Sequence, residues 1–356
     1  MKILLATPSL LPDAGGPSYS VKSIERNLEE NSCRVTALTR KERGGEYIGP
    51  LGRRKFIKDF DVVHNFGIWT PFNHSICVAA NKAGVPHVYS PMGMLEPWAL
   101  GQKKLKKQLG WLVYQRSDLE DSAAIHVTST LEAEHVMELG VRVPIALIPH
   151  GMDIPSRLPS LENRERIMRT ALFLSRIHPK KGLLELVDAW SMLRPSGWRV
   201  IIAGSDADGY GAVVDDAIAR HRLQDCIHMI GPVWGEDKSK LYCSADLFVL
   251  PTHSENFGLV IPEALSYGVP VITTTGAPWH ELQEKNSGWW IQPTVPALMQ
   301  ALEEAVSMSP SKLRMMGLNG RRLVEEKYGW QAIIQKHIEL YRWIALGQTR
   351  PSFILD

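Results

Sequence analysis

The stretch SENFGLVIPEALS, residues 254–266, decides the fold of this chain. It lies between two apolar runs, residues 246–251 and 269–273, which predict two buried parallel strands. We expect a short helix between them, because Pro262 suits a first helical turn and Gly268 suits the position just after the last turn. The stretch therefore predicts a strand–helix–strand unit of a parallel sheet.

The two glutamates of this stretch point to a ligand. The backbone N–H groups of Asn256, Phe257 and Gly258 are expected at the helix start, where they attract an anion such as phosphate. Carboxylates only accept hydrogen bonds, so Glu255 and Glu263 beside that site favour hydroxyl partners. A ligand with a phosphate between two sets of hydroxyls is a nucleotide-sugar. The alternative is that both glutamates are ordinary surface charges.

Length and strand pattern predict two domains. The chain has 356 residues, which is too long for one ordinary core. Strand-like runs alternate with helix-length segments, which is typical of parallel, helix-covered sheets. We place the domains at residues 1–153, joined by the C-terminal helix 338–356, and at residues 169–337. A linker, residues 154–168, is rich in proline, serine and charged residues.

Composition excludes several classes of protein. Lys and Arg total 40 against 38 acidic residues, so the net charge favours no nucleic-acid partner. The 4 cysteines form no C-x-x-C pair, which predicts free thiols in a reducing compartment. The N-terminal residues are predicted to be a strand and not a signal peptide, and no run reaches the ~18 apolar residues of a membrane span. We therefore expect a cytoplasmic protein, soluble or peripheral at the inner face of the cell membrane.

The spacing Glu255-x7-Glu263, with NFGL between the glutamates and ALSYGVPVI after them, resembles the family 4 retaining glycosyltransferases of the GT-B fold. The resemblance covers nearly the whole chain. It implies two Rossmann-like parallel-sheet α/β domains that face each other across a cleft. It also implies that Arg176 and Lys181 clamp the leaving diphosphate, that Glu255 holds the sugar hydroxyls and that Glu263 holds the ribose. Taken alone, Arg-x4-Lys is mostly solvated surface.

The resemblance assigns further donor contacts. Residues 256–259, which include Leu259, lie against the donor, and Val233 or Trp234 lies against the nucleobase. Gly15 and Gly16 lie against the diphosphate and the acceptor, although two glycines also suit a tight turn.

Residues 64–100 resemble a subgroup of bacterial enzymes that build surface polysaccharides. Many family members place a histidine after the strand that here reads VYSPMG, where it reaches the donor sugar, and this chain has Ser90, Pro91 and Met92 instead. We assign that role to His64 or to backbone groups. The alternative is that His64 only completes a buried strand.

Residues 98–116, WALGQKKLKKQLGWLVYQR, predict an amphipathic basic helix. Lysines 103, 104, 106 and 107 beside tryptophans suit an anionic membrane surface. The alternative is that the leucines pack into the core while the lysines are solvated.

Together these features predict a retaining hexosyltransferase of bacterial surface polysaccharide or lipopolysaccharide synthesis. Its donor is expected to be a UDP- or GDP-sugar and its acceptor a saccharide, lipid-linked or an oligosaccharide. The family mechanism implies same-face attack without a side-chain base. No cofactor or metal is expected, because the nearest approach to D-x-D, residues 206–208, lies in a loop. A sugar-nucleotide epimerase of the same fold and a non-catalytic nucleotide-sugar-binding protein remain alternatives.

Overall fold

The computed structural model describes residues 1–11, 16–40, 48–156 and 168–356. The chain divides into two compact units, Met1–Gly151 with Trp330–Asp356, and Met152–Gly329. Most of the expected linker, residues 157–167, lies outside the described residues.

The first unit is built on one twisted sheet. Its strands among the described residues are β1 (Lys2–Ala6), β2 (Arg34–Leu38), β3 (Val62–Phe66), β4 (His87–Ser90), β5 (Ala124–Val127), β6 (Ile145–Leu147) and a C-terminal strand, Ile354–Leu355. The spatial order is C-terminal strand, β6, β5, β4, β3, β1, β2. All neighbours pair in parallel except the C-terminal strand, which pairs antiparallel with β6.

Helices cover the faces of this sheet, because parallel strands are joined by long crossover connections that are usually helical. They are α1 (Gly16–Glu30), α2 (Pro50–Ile57), α3 (Pro71–Ala83), α4 (Pro97–Gly101), α5 (Lys104–Gly110), α6 (Arg116–Glu120) and α7 (Thr130–Glu138). A C-terminal helix, Trp330–Leu346, returns to this unit and buries Ile333, Ile334 and Tyr341 in the same hydrophobic cluster as Ile3 and Leu5.

The second unit repeats the arrangement with a parallel sheet. Its strands, within the part of the chain that is described, are β7 (Arg169–Leu174), β8 (Trp198–Ala203), β9 (Ile227–Gly231), β10 (Leu247–Leu250), β11 (Val271–Thr274) and β12 (Gly288–Ile291), in the order β12, β11, β10, β7, β8, β9. Its helices are α8 (Leu183–Leu193), α9 (Gly211–Arg220), α10 (Gly235–Ser244), α11 (Val260–Ser266), α12 (Glu281–Glu284), α13 (Val295–Ser307) and α14 (Pro310–Lys327). The C-terminal helix of the first unit then follows in chain order as α15. The prediction of two Rossmann-like parallel-sheet α/β domains is confirmed.

The predicted helix 98–116 is wrong as a single element. The helix is interrupted between α4 and α5, where Lys103 adopts the left-handed conformation with φ 51°. A π-helical turn, Trp111–Gln115, then joins α5 to α6. Within the described ranges, no helix combines the length and the hydropathy needed to cross a bilayer.

Candidate functional site

Lys181 and Glu255 meet beyond the carboxyl ends of two neighbouring strands. Lys181 ends a 3₁₀ turn, Pro179–Lys181, in the connection after β7, and Glu255 lies in the loop after β10. Because β7 and β10 pair in parallel, these loops emerge at the same edge of the sheet. The Lys181 ammonium donates a hydrogen bond to Glu255 Oε1, and both side chains are largely buried.

Backbone contacts fix the two loops against each other. The carbonyl of Lys180 accepts hydrogen bonds from His253 N at 2.8 Å and from Thr252 Oγ1 at 3.1 Å. Gly182 has φ 72°, and a Cβ there would lie 2.0 Å from the carbonyl oxygen of Pro251. Only glycine therefore allows the turn that carries Lys181 to approach β10 this closely.

Arg176 lies in the same connection after β7 and is exposed. It makes no ion pair with any residue that the structure describes. The pKa of nearby His178 is lowered by burial and then by the positive charge of Arg176. The loop therefore carries Lys181 paired with Glu255, and Arg176 open to solvent.

Two side chains of helix α10 bind the carboxylate of Glu263, the second glutamate. Glu263 lies in the first turn of α11, and its carboxylate accepts from Lys238 Nζ at 2.6 Å and from the Tyr242 hydroxyl at 2.8 Å. Burial, and next the Glu263 carboxylate, raises the pKa of Tyr242, so this hydroxyl keeps its proton and donates. Lys238 and Tyr242 were not predicted from the sequence, although their i, i+4 spacing places both on one face of a helix.

The loop before α11 differs from the prediction. The helix begins at Val260, so the N–H groups of Asn256, Phe257 and Gly258 lie in the preceding loop and not at the helix start; Leu259 is the residue before the first turn. The side chain of Phe257 is buried, with its ring centroid 5.3 Å from that of Trp279. Its role is therefore packing, and only its backbone remains a candidate for donor contact.

The remaining donor candidates are dispersed. Val233 follows β9 and is half-buried against the core of the second unit, whereas Trp234 is 65% exposed. Gly16 begins α1, and Gly15 lies outside the described residues. The carboxylate of Asp206 accepts from Gly211 N at 3.0 Å, so it caps the start of α9. No group of three or more potential metal ligands occurs among the described residues.

His64 lies inside the first unit, in a series of hydrogen bonds whose donors and acceptors can be assigned. The Ile148 carbonyl only accepts, so His126 Nε2 donates to it at 2.9 Å. Nδ1 of His126 then accepts from Ser90 Oγ at 2.7 Å, and Ser90 Oγ accepts from His64 Nε2 at 2.6 Å. His64 Nδ1 in turn accepts from the Tyr341 hydroxyl at 2.7 Å.

These contacts correct the assignment of His64 to the donor sugar. Its side chain is fully buried, and both ring nitrogens are engaged by Ser90 and Tyr341. Burial, and next the charge of His126, lowers the pKa of His64. The ring is therefore neutral, as this series of hydrogen bonds requires. The alternative, a histidine that completes a buried strand, describes it correctly.

Glu132 is a buried polar residue of the first unit that was not predicted from the sequence. This buried carboxylate in α7 accepts from Gly93 N at 2.6 Å, Thr128 N at 2.9 Å and Thr128 Oγ1 at 3.1 Å. It therefore ties the loop after β4 to the end of β5, at the sheet edge where ligands of parallel sheets bind. The sequence signal for Glu132 is its position three residues after the N-cap Ser129, which is typical of a capping box at a helix start.

Three leucines of residues 98–116 face outward, whereas Leu100 is half-buried against the core of the first unit. Leu105, Leu109 and Leu112 are 83%, 65% and 82% exposed. The opposite side of the segment carries the buried Gln115 and the half-buried Trp111. This finding overturns the alternative in which the leucines pack into the core.

Two family models match the chain. One, described as glycosyl transferases group 1, matches residues 163–323. The other, a glycosyl transferase 4-like domain, matches residues 25–151. Together the two matches span most of the chain.

Two curated relatives illustrate the similarity. A D-inositol 3-phosphate glycosyltransferase of Kineococcus radiotolerans is 24% identical over 295 residues, which are 74% of this chain and 68% of the relative. A GDP-mannose:cellobiosyl-diphosphopolyprenol alpha-mannosyltransferase of Xanthomonas campestris is 24% identical over 308 residues, or 83% of this chain and 77% of the relative.

Two solved structures share the fold. A sucrose-phosphate synthase from Thermosynechococcus elongatus superimposes with a TM-score of 0.79 at 19% identity, covering 98% of this chain and 100% of that one. Anabaena HepE in complex with UDP and glucose has a TM-score of 0.78 at 21% identity, covering 96% and 99%. At these identities the likeness shows the fold alone.

Proposed function

Because the chain belongs to the family 4 glycosyltransferases of the GT-B fold, we propose that it moves a hexosyl group from a nucleotide-sugar to a saccharide acceptor with retention of anomeric configuration. The donor is a UDP- or GDP-sugar. UDP in the HepE structure and GDP-mannose in the name of the Xanthomonas relative support these two choices.

The Lys181–Glu255 contact carries the proposal. A cation and a carboxylate side by side match the junction of a sugar with its diphosphate, since the lysine donates to phosphate and the glutamate accepts from sugar hydroxyls. Arg176 adds a second cation in the same connection. Glu263, held by Lys238 and Tyr242, supplies acceptor oxygens for the ribose hydroxyls.

The rate comes from stabilising charge on the leaving diphosphate. As the glycosidic C–O bond breaks, negative charge grows on the diphosphate, and each well-placed cation there contributes about 3 kcal/mol, roughly a hundredfold in rate. The acceptor oxygen attacks the same face of the sugar and passes its proton to the departing diphosphate. No side-chain base or metal enters this scheme.

We propose that the acceptor is lipid-linked and that the protein works peripherally at the inner face of a bacterial membrane, in surface polysaccharide synthesis. The name of the Xanthomonas relative, which contains a diphosphopolyprenol, supports a lipid-linked acceptor. The exposed leucines of residues 98–116, beside four lysines, support contact with an anionic membrane surface.

The direct experiment is a thermal-shift panel of UDP-, GDP-, ADP- and dTDP-sugars. We expect stabilisation by one nucleotide series, and loss of that stabilisation in Lys181→Ala. Incubation of the enzyme with the stabilising donor alone, followed by product analysis, separates transfer from epimerisation, since an epimerase converts the donor without an acceptor. Stabilisation by neither the UDP- nor the GDP-sugars contradicts the proposal.

A further inference from the structure

Trp69 adopts a backbone conformation that large side chains avoid. It follows β3 in the first unit and has φ 69°, in the left-handed region. Three hydrogen bonds hold it there: Trp69 N donates to Gln115 Oε1 at 2.8 Å, Trp69 Nε1 donates to Met94 O at 3.2 Å, and the Tyr114 hydroxyl donates to Trp69 O at 3.0 Å. Strain of this kind persists only where the surroundings enforce it, and it concentrates at binding sites.

Two of these partners come from the π-helical turn Trp111–Gln115. Such turns are rare and often occur at functional sites, because they redirect side chains that a regular helix would place elsewhere. Here the turn aims Tyr114 and Gln115 at the Trp69 backbone. Two irregular segments of backbone therefore fix one indole.

The indole of Trp69 lines two neighbouring cavities. The larger, of about 640 Å³, is also lined by Leu100, Trp111 and Leu112. The smaller, of about 380 Å³, is also lined by Leu109 and Val113. Volumes of this size hold small-molecule ligands, and apolar walls of this kind suit a hydrocarbon chain.

Lysines surround these apolar walls. Lys104 and Lys107 line the larger cavity, and Lys103, Lys106 and Lys107 line the smaller one. No carboxylate is among the described residues that line either cavity. The ammonium of Lys107 lies 5.8 Å from the centroid of the Trp69 ring, so a cation stands directly beside the apolar surface that the cavities share.

We propose that this Trp69 site binds a phosphate amphiphile, with its hydrocarbon chain along Trp69, Trp111 and Leu112 and its phosphate at Lys104 and Lys107. The inference rests on the proposed function in one respect, since a lipid-linked acceptor is the natural source of such a ligand. It goes further by giving the lipid portion its own site, formed entirely within the first unit.

Calorimetric titration of the full chain with farnesyl phosphate, kept below its micelle concentration, tests the proposal. We expect saturable binding at one site per chain. Farnesol, which lacks the phosphate, binds at least tenfold more weakly, and inorganic phosphate, which lacks the chain, gives no measurable heat.

Matched variants locate the site. Lys104→Gln with Lys107→Gln lowers the affinity for farnesyl phosphate at least tenfold, whereas Lys58→Gln with Lys82→Gln removes the same charge elsewhere on the first unit and leaves it unchanged. Leu112→Gln weakens binding, whereas Leu105→Gln does not, because Leu105 is equally exposed but lines neither cavity. Lys107 is half-buried and the other five residues are exposed, so thermal unfolding of each variant is measured alongside to check that the fold is kept.

Three outcomes overturn the inference: absence of saturable binding, equal loss in the two lysine pairs, and equal loss in the two leucine variants. Equal loss in the leucine variants means that binding follows the general hydrophobicity of the segment and not the two cavities. Failure here is distinguishable from failure of the proposed function, because nucleotide-sugar binding is measured without lipid. A protein that binds the nucleotide-sugar and ignores farnesyl phosphate disproves only the Trp69 site.

Discussion

Lys238 of α10 lies 2.6 Å from Glu263 of α11, so the glutamate that we assign to the ribose is held by a cation from the preceding helix. Both side chains are mostly shielded from solvent, which strengthens their attraction relative to an exposed pair. The pair fixes the direction in which the Glu263 carboxylate presents its free lone pairs.

The Lys238→Gln variant therefore loses binding of the nucleotide-sugar. We expect the KM for the donor to rise about tenfold with a smaller change in kcat, because the ribose contact is the same in the ground state and the transition state. Lys240→Gln is the control, since Lys240 lies on the same helix and pairs with exposed Glu236 and Asp237. An equal rise in KM in both variants contradicts the role of Lys238.

Much of the second unit follows from local sequence signals. The apolar runs at residues 246–251 and 269–273 form β10 and β11 with the short helix α11 between them, as predicted, because each run is continuous and is bounded by turn residues. The direct Lys181–Glu255 contact was not predicted, since the resemblance assigned Lys181 to the diphosphate and Glu255 to the sugar hydroxyls. Short-range patterns were sufficient wherever neighbouring residues decide the conformation.

Long-range contacts set the limit of the prediction. The burial of His64 depends on Tyr341, which reaches it from the C-terminal helix, and sequence spacing gives no sign of that contact. The break at Lys103 was missed for a different reason. Lysine seldom adopts a positive φ, so nothing in the residue itself predicts the end of a helix there.

Glu132 is expected to stabilise the first unit through its three hydrogen bonds. Glu132→Gln replaces one acceptor oxygen by a donor that faces other donors. This change lowers the free energy of unfolding by about 1–3 kcal/mol. Denaturant titration measures the loss, and Glu134→Gln on the exposed side of the same helix is the control. Unchanged stability in Glu132→Gln contradicts the role assigned to this carboxylate.

The buried histidines predict loss of stability in mild acid. Burial lowers the pKa of His126 to about 4 and that of His150 to about 3, from 6.5. The unfolded chain therefore binds more protons than the folded one between pH 6.5 and 4, so the stabilising contribution is complete above pH 6.5 and falls as the pH drops through this window.

Denaturant titration at pH 7 and pH 5 checks this expectation. Each histidine of this kind lowers the free energy of unfolding by on the order of 2 kcal/mol from pH 7 to pH 5. His126→Gln does not titrate, so the variant loses less stability than the wild type over the same interval. An identical loss in both proteins places the acid sensitivity elsewhere.

Membrane contact through the exposed leucines is expected to show in vesicle sedimentation. Leu105→Gln lowers the partition onto vesicles of phosphatidylglycerol and phosphatidylcholine about tenfold, because burial of one leucine contributes roughly 1.5–3 kcal/mol. Leu51→Gln, which changes a fully exposed leucine on α2, is the control. Vesicle binding that changes neither in Leu105→Gln nor with added salt refutes membrane contact through residues 98–116.

The steady-state kcat/KM for the nucleotide-sugar in Arg176→Ala and Lys181→Ala tests the assignment of the diphosphate clamp most directly. We expect each variant to lose about two orders of magnitude, because each removes a cation that we assign to the departing diphosphate. Arg220→Ala, an exposed arginine of the same unit, retains the wild-type value. Values within a few-fold of the wild type in both clamp variants would contradict the proposed site.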